Sequence, residues 1–141
     1  MPACFRQPKP PVSPSDLKPG MACWTELWTT NPAAASEFYG KLFGWNASGE
    51  DFGPEVGTYY LQKIGDADHA GIMKTMGEGA PPYWCPYFIV NNVDEDLERA
   101  EGLGANVILP GKDIPNVGRF GIISDPLGAV LSLFTGSGGP C

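Results

Sequence analysis

"CWTELWTTNPAAASEFYGKLFGW", residues 23–45, reads as a β-strand that feeds a helix. Successive strand side chains point to opposite faces, so Trp24, Glu26 and Trp28 share one side while Cys23, Thr25, Leu27 and Thr29 share the other. Asn31 is a good helix N-cap, Pro32 fits the first helical position, and Gly44 ends the helix. Phe38, Leu42 and Phe43 then mark the helix face expected to be buried. The one carboxylate of the strand, Glu26, stands between two indoles, either at a solvent edge or in a pocket.

The same phrase returns. Cys85–Asn91 alternates as a strand, Asn92 caps a second helix with Glu95 three residues on, and Gly104 stops it. Val93, Leu97, Ala100 and Leu103 recur at three- and four-residue intervals and predict its buried face. After each helix comes a short strand candidate, Trp45–Ser48 or Asn106–Leu109, then a Gly/Pro loop and a hairpin. The hairpins are Gly57–Thr75, turning at "GDAD", and Gly118–Thr135, turning at "DPLG". Gly57 and Gly118 are 118 − 57 = 61 residues apart, as are Asn31 and Asn92. The order β-α-β-β-β is thus written twice, an α+β pattern with "MGEGAPP" at Met76–Pro82 as the hinge.

The totals bound the rest. A chain of 141 residues fits one domain. The expected organisation is a Pro-rich extended arm over residues 1–20, a domain over 21–135, and a flexible tail over 136–141. Within the domain, module 1 covers about 21–75 and module 2 about 83–135. A formal charge of −7 repels phosphate backbones and anionic membranes, which argues against nucleic-acid and membrane partners. No run approaches the roughly 18–20 apolar residues that span a bilayer, and no signal-peptide core opens the chain, so a cytoplasmic location is expected. Cys4, Cys23, Cys85 and Cys141 form no CxxC pair and are expected as free thiols. No phosphate loop or dinucleotide fingerprint occurs.

Four features, "NPAAASEFYGKLFGW", "NNVDEDLERAEGLGA", "DIPNVGRFGIISDPLGAVLSLF" and the duplication itself, resemble the vicinal oxygen chelate superfamily, also called the glyoxalase/bleomycin-resistance/extradiol-dioxygenase fold. The resemblance covers about residues 21–135. It implies two βαβββ modules that form an open, half-barrel-like mixed sheet around one small-molecule cavity, and it implies a homodimer. The metal ligands of the family's catalytic members would fall on Trp24 and Cys85 on the first strands, on Ser132, and near Met73 within two residues. A Trp, a Met and a Ser cannot build a His/Glu site, so no metal and no cofactor are expected. His69, the single histidine, is expected as an exposed turn residue, and Cys85 as a small buried hydrophobe.

If the alternation holds, Trp24, Glu26 and Trp28 face Cys85, Tyr87 and Ile89 across the cavity, and Met73, Thr75, Ser132 and Phe134 close it. This lining is aromatic and apolar with few polar groups, as organic-ligand sites are. The preferred expectation is a metal-independent small-molecule-binding protein holding an aromatic or cationic ligand anchored by Glu26. The alternative is an enzyme of the same superfamily, an isomerase, lyase, hydrolase or dioxygenase-like protein, with Glu26 as general base or displaced metal ligand. A third reading gives the function to the Pro-rich arm as a partner ligand. The bland reading of Glu26 is a solvated edge carboxylate, or one paired with a cation such as Arg119.

Overall fold

Local signals start both helices where the sequence places them. Asn31 accepts a hydrogen bond from the Ala34 amide at 3.1 Å and Asn92 one from the Glu95 amide at the same distance, so each caps a helix. Gly44 closes the first helix in the left-handed conformation, at φ 78°. The computed structural model describes residues 17–54, 56–75 and 79–137. Its elements run β1 (Ala22–Thr29), α1 (Pro32–Phe43), β2 (Asn46–Asp51), β3 (Thr58–Ile64) and β4 (Ala67–Lys74). The pattern repeats as β5 (Tyr83–Ile89), α2 (Val93–Gly102), β6 (Asn106–Ile114), β7 (Gly118–Ser124) and β8 (Val130–Gly136). Strands β2 and β6 run longer than expected.

All eight strands form one open mixed sheet in the order β2-β3-β4-β1-β5-β8-β7-β6. Inside each unit the first and last strands pair in parallel, β1 with β4 and β5 with β8, and the units join through the antiparallel pair β1–β5. The repeat is kept in the register. Glu26 stands beside Gly71 and Tyr87 beside Ser132, pairs offset by 87 − 26 = 132 − 71 = 61. Gly71, two residues from the expected Met73, is therefore the partner of Ser132 in the repeat.

Both helices pack on one face of the sheet. Under α2 the layer is aliphatic: Val93 and Leu97 bury against Ile123 and Leu133. The opposite, inner face gathers Trp28, Met73, Tyr87, Phe120, Ile122 and Phe134 into one buried cluster drawn from five strands.

Helix α1 corrects the sequence reading. Phe38, Leu42 and Phe43 are 57–58% exposed, and Ser36 is the residue of the helix that is buried. The helix carries a second stripe at the same spacing, Pro32, Ala35, Ser36, Tyr39 and Gly40, and this stripe faces the sheet. Its small side chains allow close approach: a Cβ on Gly40 would lie 3.2 Å from the Trp45 carbonyl. Leu103 is also exposed, because the helix has ended before it.

Two further expectations change. His69 lies in β4, half-buried with its ring 4.2 Å from that of Trp45, and its Nε2 is buried without a hydrogen-bond partner. Cys23 is disulfide-bonded, not a free thiol, whereas Cys85 is free and buried as expected. Disulfides depend on how closely two Cβ atoms approach, which spacing in the chain does not report. Among the described residues no helix is long and apolar enough to cross a membrane. The expected arm over 1–16, residues 76–78 of the hinge and the tail from 138 lie outside the described residues.

Candidate functional site

Strand β1 delivers Glu26 to the inner face at the seam between the two units, opposite Cys85 on β5 and beside Gly71 on β4. The carboxylate is 5% exposed. Three neutral donors reach it: the Trp28 indole N–H and the Tyr87 hydroxyl donate to Oε1 at 2.7 and 2.9 Å, and the Tyr59 hydroxyl donates to Oε2 at 2.7 Å. Tyr59 in turn accepts from the Trp24 indole N–H at 3.1 Å. An indole N–H can only donate, so the chain runs one way, from Trp24 through Tyr59 to Glu26.

Burial raises the Glu26 pKa above the ordinary carboxylate range, and the hydrogen bonds from Tyr59, Tyr87 and Trp28 oppose that rise. Burial and the neighbouring carboxylate hold the hydroxyls of Tyr59 and Tyr87 protonated. A carboxylate offers about four acceptor positions, so Oε2, with one donor, keeps capacity that Oε1 has used. No described cation pairs with Glu26. Arg119, offered as its partner, instead holds Asp94 and Asp113 at 3.0 Å each.

Gly71 makes this arrangement possible. A Cβ there would collide with the Tyr59 hydroxyl and ring, so only glycine leaves room for Tyr59 to cross β4 and reach Glu26. Tyr59 was missing from the sequence-derived site. Its signal was the glycine itself, since a Gly inside a strand often marks a close approach.

The other expected site residues gather on the same face. Trp28, Met73, Tyr87 and Phe134 belong to the buried cluster, and Trp24 packs half-buried at its margin with Tyr59 and Tyr83. The Cys85 sulfur lies 3.2 Å from the Ser132 hydroxyl, both residues fully buried. Burial pushes the Cys85 thiol up, so it stays protonated and is a weak nucleophile. His69 and Arg119 stand apart from the cluster.

The donor set does not fit a divalent metal ion. Of the positions where the resemblance puts ligands, Trp24 spends its N–H on Tyr59, Gly71 stands where Met73 was expected, and Cys85 and Ser132 bond each other. The single carboxylate already accepts three hydrogen bonds, which leaves room at Oε2 alone. Among the described residues, no group of three or more His, Cys, Asp or Glu side chains could hold a metal.

Known proteins share this architecture. The sequence is 37% identical over 114 residues to "Putative glyoxylase CFP32" of Mycobacterium tuberculosis (strain CDC 1551 / Oshkosh), across 81% of this chain and 43% of that protein. It is 28% identical over 130 residues to "Anthracycline biosynthesis protein DauV" of Streptomyces sp. (strain C5), across 82% of this chain and 47% of that protein. The chain thus spans less than half the length of these curated relatives. In fold it is similar to a single-residue variant of Streptomyces coelicolor methylmalonyl-CoA epimerase in complex with 2-nitronate-propionyl-CoA. That likeness has a TM-score of 0.64 at 15% identity, over 88% of this chain and 99% of that one. Methylmalonyl-CoA epimerase from Mycobacterium tuberculosis gives a TM-score of 0.59 at 14% identity, over 82% and 86%. Residues 23–133 match the profile of the Glyoxalase/Bleomycin resistance protein/Dioxygenase superfamily, and the chain belongs to that family.

Proposed function

We propose that the inner face of the sheet holds a small organic molecule, aromatic or cationic, with Glu26 as its polar anchor and without a bound metal ion. The observation that carries this reading is the buried Glu26 carboxylate, held by neutral donors alone, with one oxygen still able to accept. A positive or hydrogen-bond-donating group at Oε2 would compensate the charge that burial disfavours. The half-buried rings of Trp24, Tyr59 and Tyr83 offer faces for a planar or cationic group. A relative named for anthracycline biosynthesis supports a small organic molecule as the ligand class.

Fluorescence titration of the tryptophans tests this with the planar cation proflavine against the anion 1-anilinonaphthalene-8-sulfonate. Glu26→Gln keeps the shape and removes the charge, so proflavine affinity falls about 5- to 150-fold, equivalent to ~1–3 kcal/mol, and the anion's does not. Glu26 is protonated below its raised pKa and charged above it, so proflavine binds more tightly as pH rises beyond the ordinary carboxylate range. Unchanged affinity in Glu26→Gln at every pH removes the anchor.

A second reading has Glu26 as a general base. It is favoured by the raised pKa and the spare acceptor position at Oε2, with an epimerase among proteins of this fold. On that reading, Glu26→Gln still binds ligand but turnover of a carbon acid drops about 10²–10⁴-fold. Retention of both properties after dialysis against a chelator is expected on either reading.

A further inference from the structure

Tyr59 stands where a ligand would meet Glu26 Oε2. The carboxylate is buried, so a ligand of any size reaches it only if one of its three donors moves aside. Trp28 and Tyr87 are buried in the seam, whereas Tyr59 is half-buried. Its outer neighbour is the exposed Phe52, edge-on to the Tyr59 ring at 5.3 Å, so Tyr59 is the donor with a way out toward solvent. The Tyr59 hydroxyl makes two bonds of opposite sense, donating to Glu26 Oε2 at 2.7 Å and accepting from the Trp24 indole N–H at 3.1 Å. This arrangement belongs to the first unit alone. One repeat later, at 59 + 61 = 120 and 71 + 61 = 132, stand Phe120 and Ser132, so neither the hydroxyl nor the glycine gap recurs.

We infer that the ligand is a neutral phenol whose hydroxyl replaces that of Tyr59 between Glu26 and Trp24, with Tyr59 holding the place until the ligand arrives. The inference rests on Glu26 as the ligand's anchor, and of the two ligand kinds, aromatic and cationic, it selects the aromatic. A group that replaces Tyr59 must donate to the carboxylate and accept from the indole. A hydroxyl does both, with one hydrogen to give and lone pairs to receive. An ammonium group has no lone pair and sets donor against donor at Trp24. An ether satisfies Trp24 but not the carboxylate, whose bond is the stronger of the two. A phenolate or a second carboxylate meets Glu26 charge against charge. The ring follows from shape, because the space Tyr59 vacates is that of a phenol side chain and Gly71 leaves the gap through which a ring reaches the carboxylate.

Isothermal titration calorimetry with three probes on one ring system tests this: 2-naphthol, its methyl ether 2-methoxynaphthalene, and protonated 2-naphthylmethylamine. Wild-type protein is expected to bind 2-naphthol at least about 10-fold more tightly than either of the others, as loss of one hydrogen bond to a charged partner implies. Tyr59→Phe removes the competing hydroxyl and raises the share of molecules ready to bind, so 2-naphthol binds about 10-fold more tightly than to wild type. Trp24→Phe keeps a ring but removes the N–H, so the preference for 2-naphthol over the ammonium probe narrows by about 3-fold or more. A wild-type protein that binds the ether as tightly as 2-naphthol overturns the inference. So does a Tyr59→Phe protein that binds 2-naphthol no more tightly than wild type, or an absence of 2-naphthol binding in both. Under any of these results, a Glu26→Gln protein that still binds proflavine more weakly leaves the anchor standing and only the phenol falls. Unchanged proflavine binding in Glu26→Gln removes the anchor, and this inference with it.

Discussion

Helices α1 and α2 open with the same cap and lie on the same face of the same sheet, yet they rest on different floors. Beneath α2 the contact is aliphatic, with Leu97 seated so closely over β7 that a Cβ on Gly121 would touch it at 2.8 Å. Beneath α1 polar and aromatic contacts join buried Leu27, Ala70 and Ile72: buried Gln62 donates to the Ser36 hydroxyl at 3.1 Å, and Trp84 donates to the Tyr39 hydroxyl at 3.2 Å. The Gln62 carbonyl oxygen is buried without a partner. A helix with two candidate stripes need not bury its larger residues. Here the small stripe faces the sheet, and the large residues point outward.

The largest expected effect separates the two helices directly. Leu97→Ala empties a site in the α2 layer and should cost about 2–4 kcal/mol by urea denaturation. Leu42→Ala should change stability by about 0.5 kcal/mol or less. Equal losses would mean that α1 also buries its large stripe, and the contrast would disappear.

Next in size is Gly71→Ala, which probes the repeat-related pair Gly71 and Ser132. The added methyl displaces Tyr59 and strips Glu26 Oε2 and the Trp24 N–H of their partner, for about 2–3 kcal/mol. Ser132→Ala removes only the hydroxyl beside Cys85 and should cost about 1 kcal/mol less than that. Thermal unfolding ranks the two; a Gly71→Ala protein as stable as wild type would show that Tyr59 has another place to lie.

The smallest effect should be shared by both units. Asn31→Ala and Asn92→Ala each remove one cap bond of 3.1 Å, and each should cost about 1 kcal/mol. Chemical denaturation of the two variants should agree within a few tenths; a cap that matters in one unit alone would sharpen the difference between their helices.

How much of this was legible follows the range of the interactions. Caps, turns and strand alternation are local, so the doubled β-α-β-β-β order and the inner face bearing Trp24, Glu26 and Trp28 could be read from residues 23–45 and their repeat. The Glu26–Tyr87 bond joins residues one repeat apart, and the shared alternation already put both on one face. Tyr59 could not be chosen over Tyr60 in "GTYYLQKIG" without the register of β3 against β4. The orientation of α1 depended on Gln62, a strand residue 26 positions from Ser36. The bond at Cys23 depends on approach in space, which no pattern in the chain encodes.

The open sheet also has a bearing on aggregation. Its two outer strands present unpaired backbone groups, the usual template for copies that add edge to edge without limit. On β6, Pro110 removes a donor and register shifts on either side of Leu109 break the flat row. On β2, Glu50 and Asp51 confront any incoming copy with its own charge. Stacking into fibres is thus opposed at one edge by shape and at the other by repulsion, and the chain can carry an exposed apolar helix without an equally inviting route to filaments.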